Sequence, residues 1–268
     1  MTDQKKDDCS LDDARGYLEE YFVPLMGEIP DEGQGGLKAI DILHDVFNSG
    51  EVKGKRLIDV GSGPTIYQII SASRVFPEIV CAEYSESGRA EIQKWVAEDP
   101  GAFDWSEYVQ YFCDFEGTRD IWAERQKQLR QAITAVVPCD VHKSNPVEPL
   151  QLEPFDAVMT LYCIETACTD RKSYVQAVRN VSSLLKPGGT LILQTYIGTL
   201  RFLSNGASFY AVGGVRHPTV KLDVDFVLQT ISDAGYEDIK CSYYPAAKRE
   251  RYTTSDLTAI LHLTAKKI

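Results

Sequence analysis

The stretch LIDVGSGPTIYQIIS, Leu57 to Ser71, reads as an apolar strand, a break at Gly61-Ser62-Gly63 and an apolar-periodic helix. A strand that feeds a helix through glycines is the usual start of a nucleotide-binding α/β unit. Gly61 and Gly63 let the chain turn tightly and bring a ligand close to backbone with no β-carbon between. The dinucleotide fingerprint G-x-G-x-x-G wants a third glycine where Ile66 stands, and Pro64 removes a donor from the helix start. The pyrophosphate form of the motif is therefore weakened. A purely structural turn is the competing reading of this stretch alone.

Outward from that stretch, strands and helices alternate. Strands are predicted over 56–60, 79–83, 135–139, 155–161, 190–195, 240–244 and 257–265. Helices are predicted over 11–23, 37–48, 65–75, 86–98, 170–185 and 224–234, with a helical insertion over 103–132. Alternation of this kind gives an α/β fold with a mostly parallel, seven-stranded sheet and helices on both faces. The last two strands, joined by a loop alone, suggest an antiparallel hairpin at one edge. Residues 1–51 precede the sheet and read as an N-terminal helical cap on a single domain, with the sheet core spanning 52–268.

The 268 residues carry 44% hydrophobic and 25% charged side chains, an ordinary globular composition. A net charge of −11 and the lack of a basic stripe argue against nucleic acid and against an anionic membrane surface as partners. The seven cysteines form no C-x-x-C pair, which fits a reduced, cytoplasmic compartment, and no metal is expected. The polar N-terminus MTDQKKDDCS lacks the apolar core of a signal peptide.

Three further features give the glycine turn its context. Glu83 ends the second predicted strand, where a carboxylate can accept from both hydroxyls of a ribose; a capping or solvated carboxylate is the alternative. Asp140 follows the third strand beside Val141, a pairing that suits an adenine, with a turn aspartate as the alternative. Lys186-Pro187-Gly188-Gly189 stops the helix over 170–185 and turns the chain into the fifth strand.

Together, D-V-G-S-G, the two acids and L-L-K-P-G-G resemble the S-adenosylmethionine-dependent methyltransferases. The full run LIDVGSGPTIYQIIS resembles, almost letter for letter, the signature of the nicotinamide, phenylethanolamine and indolethylamine N-methyltransferases and their thioether S-methylating relative. Gly16–Tyr21, Glu83–Ser85, Phe103–Ser106, Cys113–Gly117 and Cys139–Val141 agree, so the resemblance covers roughly residues 13–268.

The resemblance implies a Rossmann-like fold and S-adenosylmethionine as cofactor. Gly61, Ser62 and Gly63 would pass under its methionine part, with Tyr67 and Tyr17 reaching its carboxylate. Glu83 would hold the ribose, Asp140 and Val141 the adenine, and Leu161 would line the pocket. Three positions depart from the family pattern: Glu83 stands for the usual Asp, Phe22 for a second cap tyrosine, and Gly88 for a common Asn. On the acceptor side Glu165 matches an acidic position that anchors amines. Its alternative is a helix-start carboxylate near the helix over 170–185. Tyr21, Thr195, Thr199, Phe202 and Ala211 complete the implied acceptor site. Thr195 stands where nicotinamide enzymes have Asp, and Ala211 where they have Ser, which argues against nicotinamide as best substrate.

The implied reaction is an in-line displacement by the nitrogen of a small amine or N-heterocycle, driven by placement in a closed site. Tyr17 and Tyr21 would belong to the lid. An alkylamine must attack in its neutral form, and Glu165 is the candidate to take or relay its proton. Nicotinamide N-methylation and thioether S-methylation are alternatives within the family. A nicotinamide-dinucleotide oxidoreductase and a non-catalytic cofactor-binding protein are alternatives of other classes. A monomer acting on a small molecule is expected.

Overall fold

The computed structural model describes residues 13–22, 34–198, 208–212, 215–245 and 259–268. Seven strands form one sheet: β1 (Arg56–Val60), β2 (Glu78–Glu83), β3 (Ile133–Pro138), β4 (Phe155–Leu161), β5 (Leu185–Ile197), β8 (Tyr236–Pro245) and β9 (Ala259–Lys267). Their order is β3-β2-β1-β4-β5-β9-β8. The first five are mutually parallel, whereas β9 runs antiparallel to both β5 and β8. The hairpin expected at one edge is present, and its last strand is the one that pairs inward, from Thr190↔Lys266 to Ile197↔Ala259. Strand order reverses between β1 and β4, which opens a crevice above their C-terminal ends.

Period-2 alternation along these strands builds two cores. On one face Leu57, Ala157, Met159 and Ile192 pack against α1 (Ala14–Tyr21), α2 (Gln34–Asn48), α3 (Glu86–Val96), α4 (Ser106–Phe115) and α5 (Trp122–Ala132). On the other Ile58, Val60, Val158, Leu191 and Leu193 pack against α7 (Arg171–Ser182) and α8 (Val224–Asp233), through Tyr174, Val178, Val181, Val227 and Ile231. Both faces are covered, which is why the central strands read as near-continuous apolar runs. Among the described residues no helix is long and apolar enough to cross a membrane.

Three expectations change. The helix predicted over 65–75 is two short 3-10 turns, Tyr67–Ile69 and Ala72–Arg74. There the Thr65 hydroxyl and Gln68 amide donate to the carbonyls of Ser62 and Thr65, so side chains take acceptors that an α-helix would use. The K-P-G-G segment does not end α7, which stops at Ser182. It lies inside β5: Phe155 faces Leu185 and Ala157 faces Thr190, so Lys186 to Gly189 bulge out of the ladder. Finally, an unpredicted hairpin joins β6 (Ser208–Val212) to β7 (Val215–Thr219). It packs near the short helix α6 (Ile164–Ala167), and just beyond it the Val220 N–H donates to the Glu165 carbonyl at 3.2 Å.

Candidate active site

Gly61 and Gly63 take φ of +74° and +59°, in the region that a side chain disfavours. A β-carbon on Gly61 would also stand 2.2 Å from Cys163 Sγ, so the loop after β4 closes against the turn only because residue 61 has no side chain. Beneath the turn lies a buried polar knot. Gln68 Nε2 donates to Asp59 Oδ2 at 2.8 Å and to the Ser62 and Thr65 carbonyls at 3.1 Å. Ser62 Oγ donates to the Asp59 carbonyl at 2.9 Å. Burial pushes the Asp59 carboxyl up to about 6, against the opposing pull of Gln68 and Ser62. Asp59, Thr65 and Gln68 were absent from the expected site; the signal for them was the recurrence of polar residues at Asp59, Ser62, Thr65 and Gln68, every third position of a largely apolar run.

Glu83 ends β2 with both carboxylate oxygens engaged. Oε2 accepts from the Gly63 N–H and Oε1 from the Ser85 N–H, each at 2.8 Å. Burial raises its pKa, and those amides oppose the rise. Next to β3, Asp140 is half-buried and Oδ1 accepts from the His142 N–H at 2.9 Å. Val141 is buried, and its carbonyl accepts from Asn180 Nδ2 at 2.9 Å. The turn, Glu83 and Asp140 thus follow three adjacent strands at their C-terminal ends. Tyr84 stands beside Glu83 with 74% of its surface exposed, an aromatic face the sequence reading passed over.

Tyr67 is buried in an aromatic cluster, 5.4 Å from Phe22 and 6.5 Å from Trp105 between ring centroids. Tyr17 lies 4.9 Å from Tyr21 and 5.8 Å from Phe22, so α1 and its C-terminal cap bring these rings into the cluster around Tyr67. Burial raises the Tyr67 phenol pKa, and the neighbouring phenols of Tyr17 and Tyr196 raise it further. Phe22 is itself core, packed on Trp105 and Tyr108, which gives an apolar ring at that position a structural use.

On the other side of the crevice Leu161 is buried at the end of β4. Tyr162 follows at φ +56° and stacks on Tyr196 at 4.5 Å and 19°. Glu165 lies on α6, 3% exposed, and Oε1 accepts from the Tyr196 N–H at 3.0 Å. Burial lifts its carboxyl to about 7, while its own N–H and the Tyr196 N–H pull the other way. Glu165 stands in the first turn of α6, as the helix-start alternative has it, whereas α7 has its own cap in Asp170, which accepts from the Ser173 N–H at 2.8 Å. Thr195 is wholly buried; among the described residues its Oγ1 and the Tyr174 hydroxyl meet no hydrogen-bond partner. Thr199 and Phe202 lie outside the described residues. Ala211 lies on β6 opposite Arg216, its side chain outside the description. Tyr162 and Tyr196 were not anticipated, since neither belongs to a motif.

Chemically, these groups offer a glycine turn, a carboxylate able to hold a diol, a second carboxylate with an apolar neighbour, and a buried carboxyl near neutrality. The model of the NNMT/PNMT/TEMT family matches residues 4–268. Indolethylamine N-methyltransferase of Mus musculus is 41% identical over 242 residues, spanning 90% of this chain and 88% of that one. Nicotinamide N-methyltransferase of Homo sapiens is 39% identical over 222 residues, spanning 83% and 81%. The CcbJ methyltransferase from Streptomyces caelestis shares the fold at a TM-score of 0.54 and 14% identity, covering 90% of this chain and all of that one. A match over nearly the whole chain, with such identity to two curated relatives, means that the chain belongs to the NNMT/PNMT/TEMT family.

Proposed function

We propose that the protein is an S-adenosylmethionine-dependent N-methyltransferase that acts on a small amine or N-heterocycle. The observation that carries this is the gathering of the Gly61–Gly63 turn, Glu83 and Asp140 at one crevice, with buried Glu165 across from them. The donor set fits the cofactor: Glu83 can accept from two ribose hydroxyls, Asp140 from an exocyclic amine with Val141 against the ring, and Tyr67 and Tyr17 can donate to a carboxylate. When bound, S-adenosylmethionine supplies a methyl group already activated on a sulfonium.

The chain's own residues then have to orient, enclose and deprotonate. Gly61, Ser62 and Gly63 would hold the cofactor's methionine part, and α1 with Tyr17, Tyr21 and Phe22 would shut out water. Glu165 anchors an ammonium group and accepts its proton, leaving a neutral nitrogen to attack. Residues 1–51 act as a cap on a single domain whose core is 52–268, and the protein works as a cytoplasmic monomer on a small molecule. Thr195 and Ala211, in place of an Asp and a Ser, disfavour nicotinamide.

The test is a methyl-transfer screen of purified protein against alkylamines, pyridines and thioethers, with thermal shifts on S-adenosylhomocysteine and NAD beside it. Stabilisation by S-adenosylhomocysteine alone and turnover of a nitrogen acceptor are expected. Stabilisation by NAD alone, or turnover of thioethers alone, would overturn the reading.

A further inference from the structure

The Tyr162–Tyr196 stack has a chemical consequence for the acceptor. Tyr162 directly follows β4 and Tyr196 is the next-to-last residue of β5, both at the C-terminal edge of the sheet. Each is half-buried. The Tyr162 backbone sits at φ +56°, uncommon for a bulky side chain, and its N–H is fixed to the Gln194 carbonyl at 2.9 Å. The Tyr196 N–H is fixed to Glu165 Oε1 at 3.0 Å. The carboxyl assigned to the amine therefore also fastens the strand end that carries one of the two rings.

We infer that Tyr196, stacked on Tyr162, is the specificity-determining residue of the acceptor site, admitting amines whose nitrogen sits on an alkyl arm and excluding flat N-heterocycles. This rests on the proposed N-methyl transfer. A ring held between two aromatic faces needs about 7 Å between them, twice an ordinary carbon contact. The observed 4.5 Å leaves no such slot. A pyridine-type nitrogen attacks along its own ring plane, so the whole ring must enter the line of displacement. An alkylamine presents only a methylene chain there. In its ammonium form it is drawn to tyrosine faces and to a carboxylate, both of which this edge supplies.

The experiment compares kcat/KM for 2-phenylethylamine and quinoline in the wild type and in Tyr196→Ala, Tyr196→Leu and Tyr196→Phe. The wild type is expected to favour the amine by about tenfold or more, the range a shaped pocket gives. Tyr196→Ala and Tyr196→Leu, the second retaining bulk, should each shift that ratio about tenfold toward quinoline, and Tyr196→Phe should leave it unchanged. S-adenosylhomocysteine affinity within about twofold of wild type marks a folded cofactor half in each variant. A wild type that prefers quinoline overturns the inference without any variant, and so does an unmoved ratio in both Ala and Leu forms. If the wild type binds S-adenosylhomocysteine but methylates no nitrogen acceptor, the proposed function itself falls and this inference with it.

Discussion

Gly88 lies directly against the side chain of Glu83: a β-carbon at position 88 would stand 3.1 Å from Glu83 Cγ and 3.6 Å from the Gly63 carbonyl carbon. The two departures from the family pattern on the ribose side are therefore one. A longer acid at 83 fits because the residue at 88 gives up its side chain. Gly88→Asn should weaken S-adenosylhomocysteine binding, because Glu83 must leave the Gly63 and Ser85 amides to make room. Glu83→Asp alone should also weaken it, since the shorter acid falls short of the Gly63 N–H. The double variant should recover part of the loss, with a coupling of about 1 kcal/mol by calorimetry. Additive losses would show the two positions to be independent.

The sheet was legible because buried parallel strands leave long apolar runs; β1 and β4 fall at their predicted bounds. The segment after Gly63 was misread because Gln68 and Thr65 look like helix residues until their carbonyl partners are known. The glycine turn, Glu83 and Asp140 were readable from spacing, since each follows its strand. Tyr162 and Tyr196 were not: they are adjacent across β4 and β5, and that pairing exists only once the strands are in register.

Gln68→Ala would strip Asp59 Oδ2 of its amide donor and leave the Ser62 and Thr65 carbonyls one donor short. Removing a donor from a buried carboxyl costs on the order of 1–3 kcal/mol. For a chain of this size that is a Tm lower by roughly 2–10 °C. Cofactor affinity should fall with it, because the knot shapes the turn from below. Gln68→Glu tests the charge: a second carboxylate beside Asp59 should cost more at pH 8 than at pH 5. A Gln68→Ala protein with unchanged Tm would mean that water replaces the amide.

Glu165 has an ordinary value of 4.5, raised by burial to about 7. The folded chain thus holds a proton that the unfolded chain releases between those pH values, so stability falls as pH rises from about 4.5 through about 7. Glu165→Gln, neutral throughout and still able to accept from the Tyr196 N–H, should lose this slope. Its Tm should match or exceed the wild type at pH 8 and show no such gain at pH 4. Activity should move the opposite way. Wild-type kcat/KM for an alkylamine should rise through pH 7 as the carboxylate forms, and the variant should be lower by about 10²-fold or more, without that inflection. Unchanged turnover in Glu165→Gln would remove Glu165 from proton transfer.

Arg15 fastens the helix that carries Tyr17 to the body of the protein. Its Nη1 donates to the Gly101 carbonyl at 3.0 Å and reaches Glu91 at 3.5 Å, and the guanidinium lies 5.6 Å over the Phe103 ring. Glu91 is itself buried and also bound by Lys94 at 2.6 Å, so the anchor on α3 is rigid. Arg15 is partly exposed, and ion pairs of that kind add under about 1 kcal/mol to stability. Arg15→Ala should therefore barely lower Tm. It should instead raise the KM for S-adenosylmethionine about three- to tenfold with kcat little changed, and speed amide exchange over α1, because Tyr17 is held in place less of the time. Arg15→Lys should rescue only in part, having no planar fork to reach the carbonyl and the carboxylate together. Equal KM in wild type and Arg15→Ala would show that Leu18 and Phe22, buried on the same helix end, hold α1 by themselves.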